Sequence, residues 1–323
     1  IIDSIPGYGL IYKTTDGGQN WSLLSKHDGI YFNSFHFYSM DKGYALGQKG
    51  VMKRVVLSGN FGLVNIPGLP ASFNISAAFF SDGDKGWVVG NSATIYYTTN
   101  GTANFPTWTP VSTGLTGVDF KEVYFGAIGV VGQNAGLLLG TNEKVYKITS
   151  TTPTGTNYTF LKISDDVVDI DDSNAKVFLY DKALGQLKSI DKTNFASAPL
   201  VLIGNSGSIP TKLNVRSICA KNGTDVFTAG LNGDIYQANN ANTATVNWTE
   251  LSKKVVPLAI HDLQAAGAKA IYAVGSEGNF LQCTNGADWK TLPTGTVTNL
   301  NAIKFNTANT AAIPGTLGLI AGN

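Results

Sequence analysis

Gly9-Leu10-Ile11-Tyr12-Lys13-Thr14-Thr15-Asp16-Gly17-Gly18-Gln19-Asn20-Trp21 opens the readable part of the chain, and weakened copies of it return along the whole length. Repetition at a fixed period sets the architecture before any other reading. The phrase is a strand, a tight polar turn, and a Trp that starts the next strand. Later copies are Ile95–Gly101 followed by Trp108, Gly233–Asn239 followed by Trp248, and Gly278–Gly286 followed by Trp289. A further copy, Gly43–Lys53, has no closing Trp.

Each copy sits in a larger unit with four strand-like runs. An apolar run such as Ser76–Phe80 comes first, then a polar turn such as Ser81–Lys85. An aromatic or β-branched run ending in Gly follows (Gly86-Trp87-Val88-Val89-Gly90), and a short turn leads to the third and Trp-led fourth runs. The glycines are expected to supply positive φ in tight hairpins. Asp16, Asn100, Asn239 and Asn285 are expected to bond the backbone two residues on and hold the turn. Trp21, Trp108, Trp248 and Trp289 are large enough to wedge between neighbouring sheets. No run has a convincing helical period.

Six full units start near Asn33, Asn74, Phe120, Val167, Asn214 and Ile260; the Val167–Leu202 unit is weak and lacks the Trp. The chain ends on first and second strands and begins on third and fourth, so a seventh unit assembled from residues 1–24 and 297–323 would close a ring. The 323 residues then give about 46 per unit. The expected fold is all-β: a seven-bladed β-propeller of four-stranded antiparallel blades in one domain, residues 1–323, with six or eight blades as alternatives. Thr149–Asn157 reads as a hairpin loop within a unit rather than a linker.

Charged residues are 14% of the chain, against roughly 25% in typical soluble domains, so Asn, Thr, Ser and Gln must dominate the surface. That composition suits an exported protein, periplasmic, outer-membrane-associated or extracellular. The abrupt start at Ile1 suggests a processed product. The net charge of +1, with no basic cluster longer than Lys53-Arg54 or Lys253-Lys254, argues against nucleic acid as a partner. No apolar run reaches the length of a membrane span. Cys219 and Cys283 lie in apolar contexts and read as buried free thiols.

At these residues the chain resembles the Asp-box (BNR) repeat propellers. Thr14, Asp16, Gly18 and Trp21 meet the Ser/Thr-x-Asp-x-Gly-x-x-Trp pattern in full, and Thr98–Gly101 and Thr284–Gly286 are degenerate copies. The Gly-Trp/Tyr-x-x-Gly phrase makes it most similar to the photosystem II stability/assembly factor-like exported propellers. The resemblance implies that the box is a structural turn of the third-to-fourth hairpin, on the face away from the usual ligand site. It leaves function open.

Sialidases of this family bind a substrate carboxylate with three arginines, and this chain has only Arg54 and Arg216. The acidic run Asp165-Asp166, Asp169, Asp171-Asp172 could supply paired carboxylates or a Ca²⁺ site; a solvated loop and strand edge is the simpler reading. His27, His36 and His261 are too scattered for a zinc centre. No catalytic set, metal site or cofactor is expected.

Propellers concentrate ligands on the face that holds the fourth-to-first and second-to-third connections. The residues expected there are His27, Asp28, Tyr31, Lys49, Asn91, Asp181, Lys182, Asn232, Lys253, His261 and Glu277. The expected function is non-catalytic recognition of a protein or glycan partner by a monomer at that rim. A glycoside hydrolase or lyase using channel carboxylates, and an assembly factor for a membrane-associated complex, are the alternatives.

Overall fold

The computed structural model describes residues 8–39, 41–57, 62–125, 134–150, 158–173, 176–192, 201–202, 214–251, 258–266, 270–284, 288–305 and 318–322. The chain is a seven-bladed β-propeller of four-stranded antiparallel sheets. Strands are numbered along the chain. β1 (Tyr8–Thr14) and β2 (Ser22–Asp28) belong to the closing sheet. The next sheets are β3 (Phe32–Phe37) to β6 (Gly62–Ile66), β7 (Ile75–Phe80) to β10 (Thr109–Val111), and β11 (Phe120–Phe125) to β14 (Tyr158–Ser164). Then come β15 (Val167–Asp172) to β18 (Val201–Leu202), β19 (Val215–Ala220) to β22 (Trp248–Glu250), and β23 (Ile260–Ala266) to β26 (Trp289–Thr291). The chain returns through β27 (Leu300–Phe305) and β28 (Gly318–Gly322).

The closing sheet runs β2-β1-β28-β27, so both chain ends share it. β1 and β28 are antiparallel neighbours, with Leu10 opposite Gly322 and Thr14 opposite Gly318. The poorly marked unit also forms a sheet, although its outer strand is only Val201–Leu202, opposite Ser189 and Lys188.

Residues group into two compact units: Ile1–Phe32, Val168–Ser189 and Val201–Asn323 in the first, Asn33–Val167 and Ile190–Leu200 in the second. In each, apolar side chains of consecutive sheets share a core. In the second unit Trp87 stacks on Phe125 at 3.9 Å. In the first, Tyr272 stacks on Phe305 at 4.0 Å, and Trp21 packs edge-on against Phe280 at 5.4 Å. The second strands are the most buried: every residue of Gly86–Gly90 and of Ala270–Gly275 is buried. A strand covered on both faces reads as a continuous apolar run rather than an alternating one.

The innermost strand of each sheet is an edge, and its outward N–H groups need acceptors. The preceding sheet supplies them from side chains. In the first unit, Ile218 N–H donates to Asp169 Oδ2 at 2.7 Å and Ala220 N–H to Asp171 Oδ2 at 2.8 Å. Ala265 N–H reaches Cys219 Sγ at 3.0 Å, Ile303 N–H reaches Asp262 Oδ2 at 2.9 Å, and Phe305 N–H reaches Gln264 Oε1 at 2.6 Å. In the second unit Phe80 N–H donates to His36 Nε2 at 2.9 Å. Aligned by strand, His36, Asp171, Cys219 and Gln264 occupy the same fifth position, and Asp169 and Asp262 the third. The acidic run is therefore split: Asp169 and Asp171 serve an inner edge, while Asp165 forms an exposed ion pair with Lys162 at 2.9 Å.

Desolvation dominates the titration of these half-buried carboxyls. It holds Asp169 and Asp171 well above the usual carboxylate range, with the charges of Asp171 and Asp262 adding to the effect on Asp169 and that of Asp172 to the effect on Asp171. Asp262 is pushed up to about 6 by desolvation, against the pull of the Ile303 N–H and Lys304. Both cysteines are buried and outside any disulfide, and burial raises the Cys219 thiol well above its ordinary value.

The strand-end glycines work differently from the expectation. Gly90, Gly230 and Gly275 do not have positive φ. They lie over a backbone carbonyl that precedes the sheet's own first strand: a Cβ on Gly90 would meet Asn74 O at 1.9 Å, and one on Gly275 would meet Ala259 O at 1.9 Å. The constraint is close approach of two backbone segments, not handedness. Positive-φ glycines do occur in turns, such as Gly17 at 72° and Gly18 at 88°.

Gly90→Ala should therefore lower stability by about 3 kcal/mol or more, read as a shift in the urea midpoint; an unchanged midpoint would refute the close-approach account. The buried carboxyls give a second expectation. A carboxyl whose pKa is raised by folding binds more protons folded than unfolded, so its contribution is fully present below the unfolded value and is lost as pH rises. For Asp262 the window runs from about 3.9 to about 6, and for Asp169 and Asp171 it extends higher. The melting temperature should fall across that window, and the fall should be shallower in Asp169→Asn, whose amide oxygen still accepts the Ile218 N–H. Thermal melts from pH 4.5 to 8 check this; parallel slopes for the two proteins would refute it.

Candidate functional site

The turn first read in the sequence is a hydrogen-bonded cage. Thr14 Oγ1 donates to Asp16 Oδ1 at 2.7 Å and accepts the Gly18 N–H at 2.9 Å. Asp16 accepts the Asn20 N–H at 2.9 Å and the Asn20 side-chain amide at 2.7 Å, and its pKa is lowered, hydrogen bonds to the ionised form outweighing the opposing desolvation. In the second copy Asn100 Oδ1 accepts the Thr107 N–H at 2.9 Å. In the third the same bond is made by Asn240, which accepts the Asn247 N–H at 3.0 Å, and not by Asn239. In all three the acceptor holds the amide just before the Trp. Asn285 lies outside the described residues. Trp108 Nε1–H bonds Pro67 O at 3.3 Å, while Trp248 and Trp289 pack into the cores between their sheet and its neighbour.

Several of the expected rim residues are engaged by their immediate surroundings. Lys49, in a left-handed turn at φ 57°, donates its N–H to Asn74 Oδ1 at 3.0 Å. Asn91 spends its carboxamide on the backbone, accepting the Asn74 N–H at 2.7 Å and donating to Ser72 O at 3.2 Å. Asp181, only 4% exposed, pairs with Lys188 at 2.7 Å and accepts the Leu184 N–H at 3.0 Å, so it holds a hairpin. His27 faces Ser25 Oγ at 2.6 Å and stands edge-on to Phe32 at 5.2 Å. Asp28, Lys182 and Asn232 are exposed and Tyr31 is half-buried. Lys253 lies outside the described residues. Among those described, no three His, Cys, Asp or Glu side chains are grouped to hold a metal.

His261 and Glu277 are the exceptions. His261 bridges two elements of the first unit, with Nδ1 3.0 Å from Leu300 O and Nε2 3.2 Å from Ser276 Oγ. Beside it, the second-to-third turn Ser276–Gly278 and the fourth-to-first connection after Thr291 enclose a pocket of about 500 Å³. Leu258, Glu277, Asn279, Leu292, Pro293 and Val297 are among its lining residues. Sequence reasoning named Glu277 and missed Asn279 and the 291–297 loop.

The loop is built, not draped. Thr294 Oγ1–H donates to Gly278 O at 2.9 Å, Gly278 N–H to Thr298 O at 2.7 Å, and Glu277 N–H to Asn299 Oδ1 at 3.2 Å. Thr296 and Thr298 share a hydroxyl bond of 2.9 Å, and Leu292 N–H donates to Phe280 O at 2.9 Å. Gly278, at φ 71°, admits no side chain: a Cβ would lie 1.9 Å from Thr296 O. The alternation of Thr294, Thr296 and Thr298 was the signal available in the sequence.

No protein-family model and no curated protein matches the sequence. Among solved structures the chain is similar to one described as "YCF48 bound to D1 peptide", at 14% identity and a TM-score of 0.63, covering 90% of this chain and 93% of that one. It is similar to YCF48 from Cyanidioschyzon merolae at 15% identity and 0.64, covering 90% and 94%. A streptogramin B lyase structure matches at 12% identity and 0.65, covering 96% and 97%. At these identities the likeness is one of β-propeller fold. Among the described residues no helix is long and apolar enough to cross a membrane.

Proposed function

We propose that this chain is an exported, non-catalytic binding propeller of the Asp-box kind, acting as a monomer, that recognises a protein partner at the face carrying the second-to-third and fourth-to-first connections. One observation carries the reading: a rigidly built pocket of about 500 Å³ on that side of the first unit, within the size range of ligand sites. The low charged fraction of 14% supports export. The similar fold that holds a D1 peptide shows that this architecture can serve peptide recognition. An assembly-factor role would be one instance of the same activity.

A glycan partner fits the pocket less well. Sugar rings dock their C–H faces on aromatic rings, and no aromatic side chain is among the lining residues. The hydrolase or lyase reading needs a carboxylate able to exchange its proton with substrate. Asp169 instead accepts N–H bonds from Ile218 at 2.7 Å and Ile170 at 3.0 Å.

The immobilised protein should retain members of a random peptide library saturably and leave a glycan array blank. Cleavage of a defined polysaccharide, lost in Asp169→Asn, would overturn the reading.

A further inference from the structure

We propose that the outer edge of β6 (Gly62–Ile66) takes an added strand from a protein partner. The occupant is an extended, uncharged segment with apolar side chains at every second position. Its main chain pairs with β6, and those side chains lie against Val64 and Phe105. The edge belongs to the second unit and shares no residue with the pocket, so the two sites stand or fall separately.

The outer strand of every blade is a sheet edge with unspent main-chain donors and acceptors. Proteins blunt such edges with short strands, proline, charge or bulges. Six of the seven outer strands do so here. β18, β22 and β26 are two or three residues long, and the last two carry Glu250 and Lys290. β10 has Pro110 at its centre. β2 and β14 are bulged, at Leu24 and Ile163, and carry Lys26 and Lys162. β6 has none of these devices. Its five residues, Gly-Leu-Val-Asn-Ile, pair in unbroken register with β5 (Met52–Val56), from Gly62 opposite Val56 to Ile66 opposite Met52.

An independent feature sits beside this edge. Phe105 is 81% exposed, yet its loop is firmly held. Ala103 N–H donates to Asn100 O at 3.0 Å, Thr107 N–H to Asn100 Oδ1 at 2.9 Å, and Arg54 Nη2 to Ala103 O at 2.8 Å. The corresponding loop at Asn240 makes the same two asparagine bonds with Thr245 in the place of Phe105, so the turn itself does not call for an aromatic ring. Val64, 50% exposed, stands opposite Arg54, the residue whose guanidinium holds the Phe105 loop. Just past the end of β6, Pro67 O accepts the Trp108 Nε1–H at 3.3 Å. The open edge and the apolar shelf therefore adjoin.

A row of free main-chain groups is matched by another extended main chain, and the side chains beside it set which one. An uncharged strand flanked by Val64 and Phe105 selects apolar partners on that face. A second copy of this chain fits less well. Two rigid five-residue edges, each about 17 Å long, would meet over far less than the roughly 1,200 Å² of a stable interface. A free segment can follow the edge and reach Phe105 as well.

The probe is an acetylated, amidated nonapeptide with valine and threonine alternating over its central five residues and serine-glycine ends. Its control carries N-methyl groups on those five residues and cannot pair. Fluorescence polarisation should show saturable binding of the first and none of the second, and hydrogen exchange should slow in residues 62–66 when the peptide is bound. Val64→Lys should abolish binding, and Phe105→Thr should weaken it about tenfold, both with an unchanged melting temperature. Phe105→Thr lies outside the sheet and carries the test if Val64→Lys fails to fold. Absence of binding, binding that survives both substitutions, or binding without slower exchange at 62–66 overturns the proposal. So does sedimentation as a dimer that Val64→Lys disperses, which would give the edge to a second copy.

Discussion

A ring of small sheets has an internal problem: each first strand ends the hydrogen-bonded ladder and leaves N–H groups with no strand to pair with. Here the problem is met by side-chain acceptors from the preceding sheet, in strict register. The fourth and sixth residues of an inner strand donate to the third and fifth of its predecessor, as Ile218 and Ala220 do to Asp169 and Asp171. The apolar wedges between sheets set how closely the blades stack, and these bonds set how they align. The raised pKa values of Asp169, Asp171 and Asp262 follow from the same arrangement, because an acceptor aimed at a neighbouring backbone is drawn away from water.

That register explains what the sequence could and could not disclose. Blade number and closure were legible, because Gly-bounded strands and Trp-led turns repeat as residue identities. The inner-edge contacts were not, because His36, Asp171, Cys219 and Gln264 share only the ability to accept a hydrogen bond. A search by residue type sees four unrelated side chains and reads the two aspartates as a possible acid-base pair. The strand-end glycines mislead for a related reason. Gly90 and Gly275 were legible as required, but the requirement is room for a carbonyl, which depends on the path of a segment many residues away.

The candidate site shows the same division. Glu277 was named by counting strands within the repeat, and it lines the pocket. Asn279 was not found, since a buried carboxamide is recognisable only once its surroundings are seen to leave Nδ2 unpaired. Among the other expected rim residues, Asn91 and Asp181 are spent on local backbone and on Lys188. A polar residue at a rim position is thus weak evidence for a ligand until its existing bonds have been counted.

The pairing of Leu10 with Gly322 joins the first and last described strands. The entropy of bringing such distant segments together rises only logarithmically with their separation, so the clasp is inexpensive at equilibrium. In time it is costly, since β28, the strand that β1 needs, follows every other described strand in the chain. Until then β1 and β2 form an orphan hairpin, and the sheets from β3 onward can accumulate as an open arc with bare flanks. Such an arc is the form most exposed to sticking to its own copies.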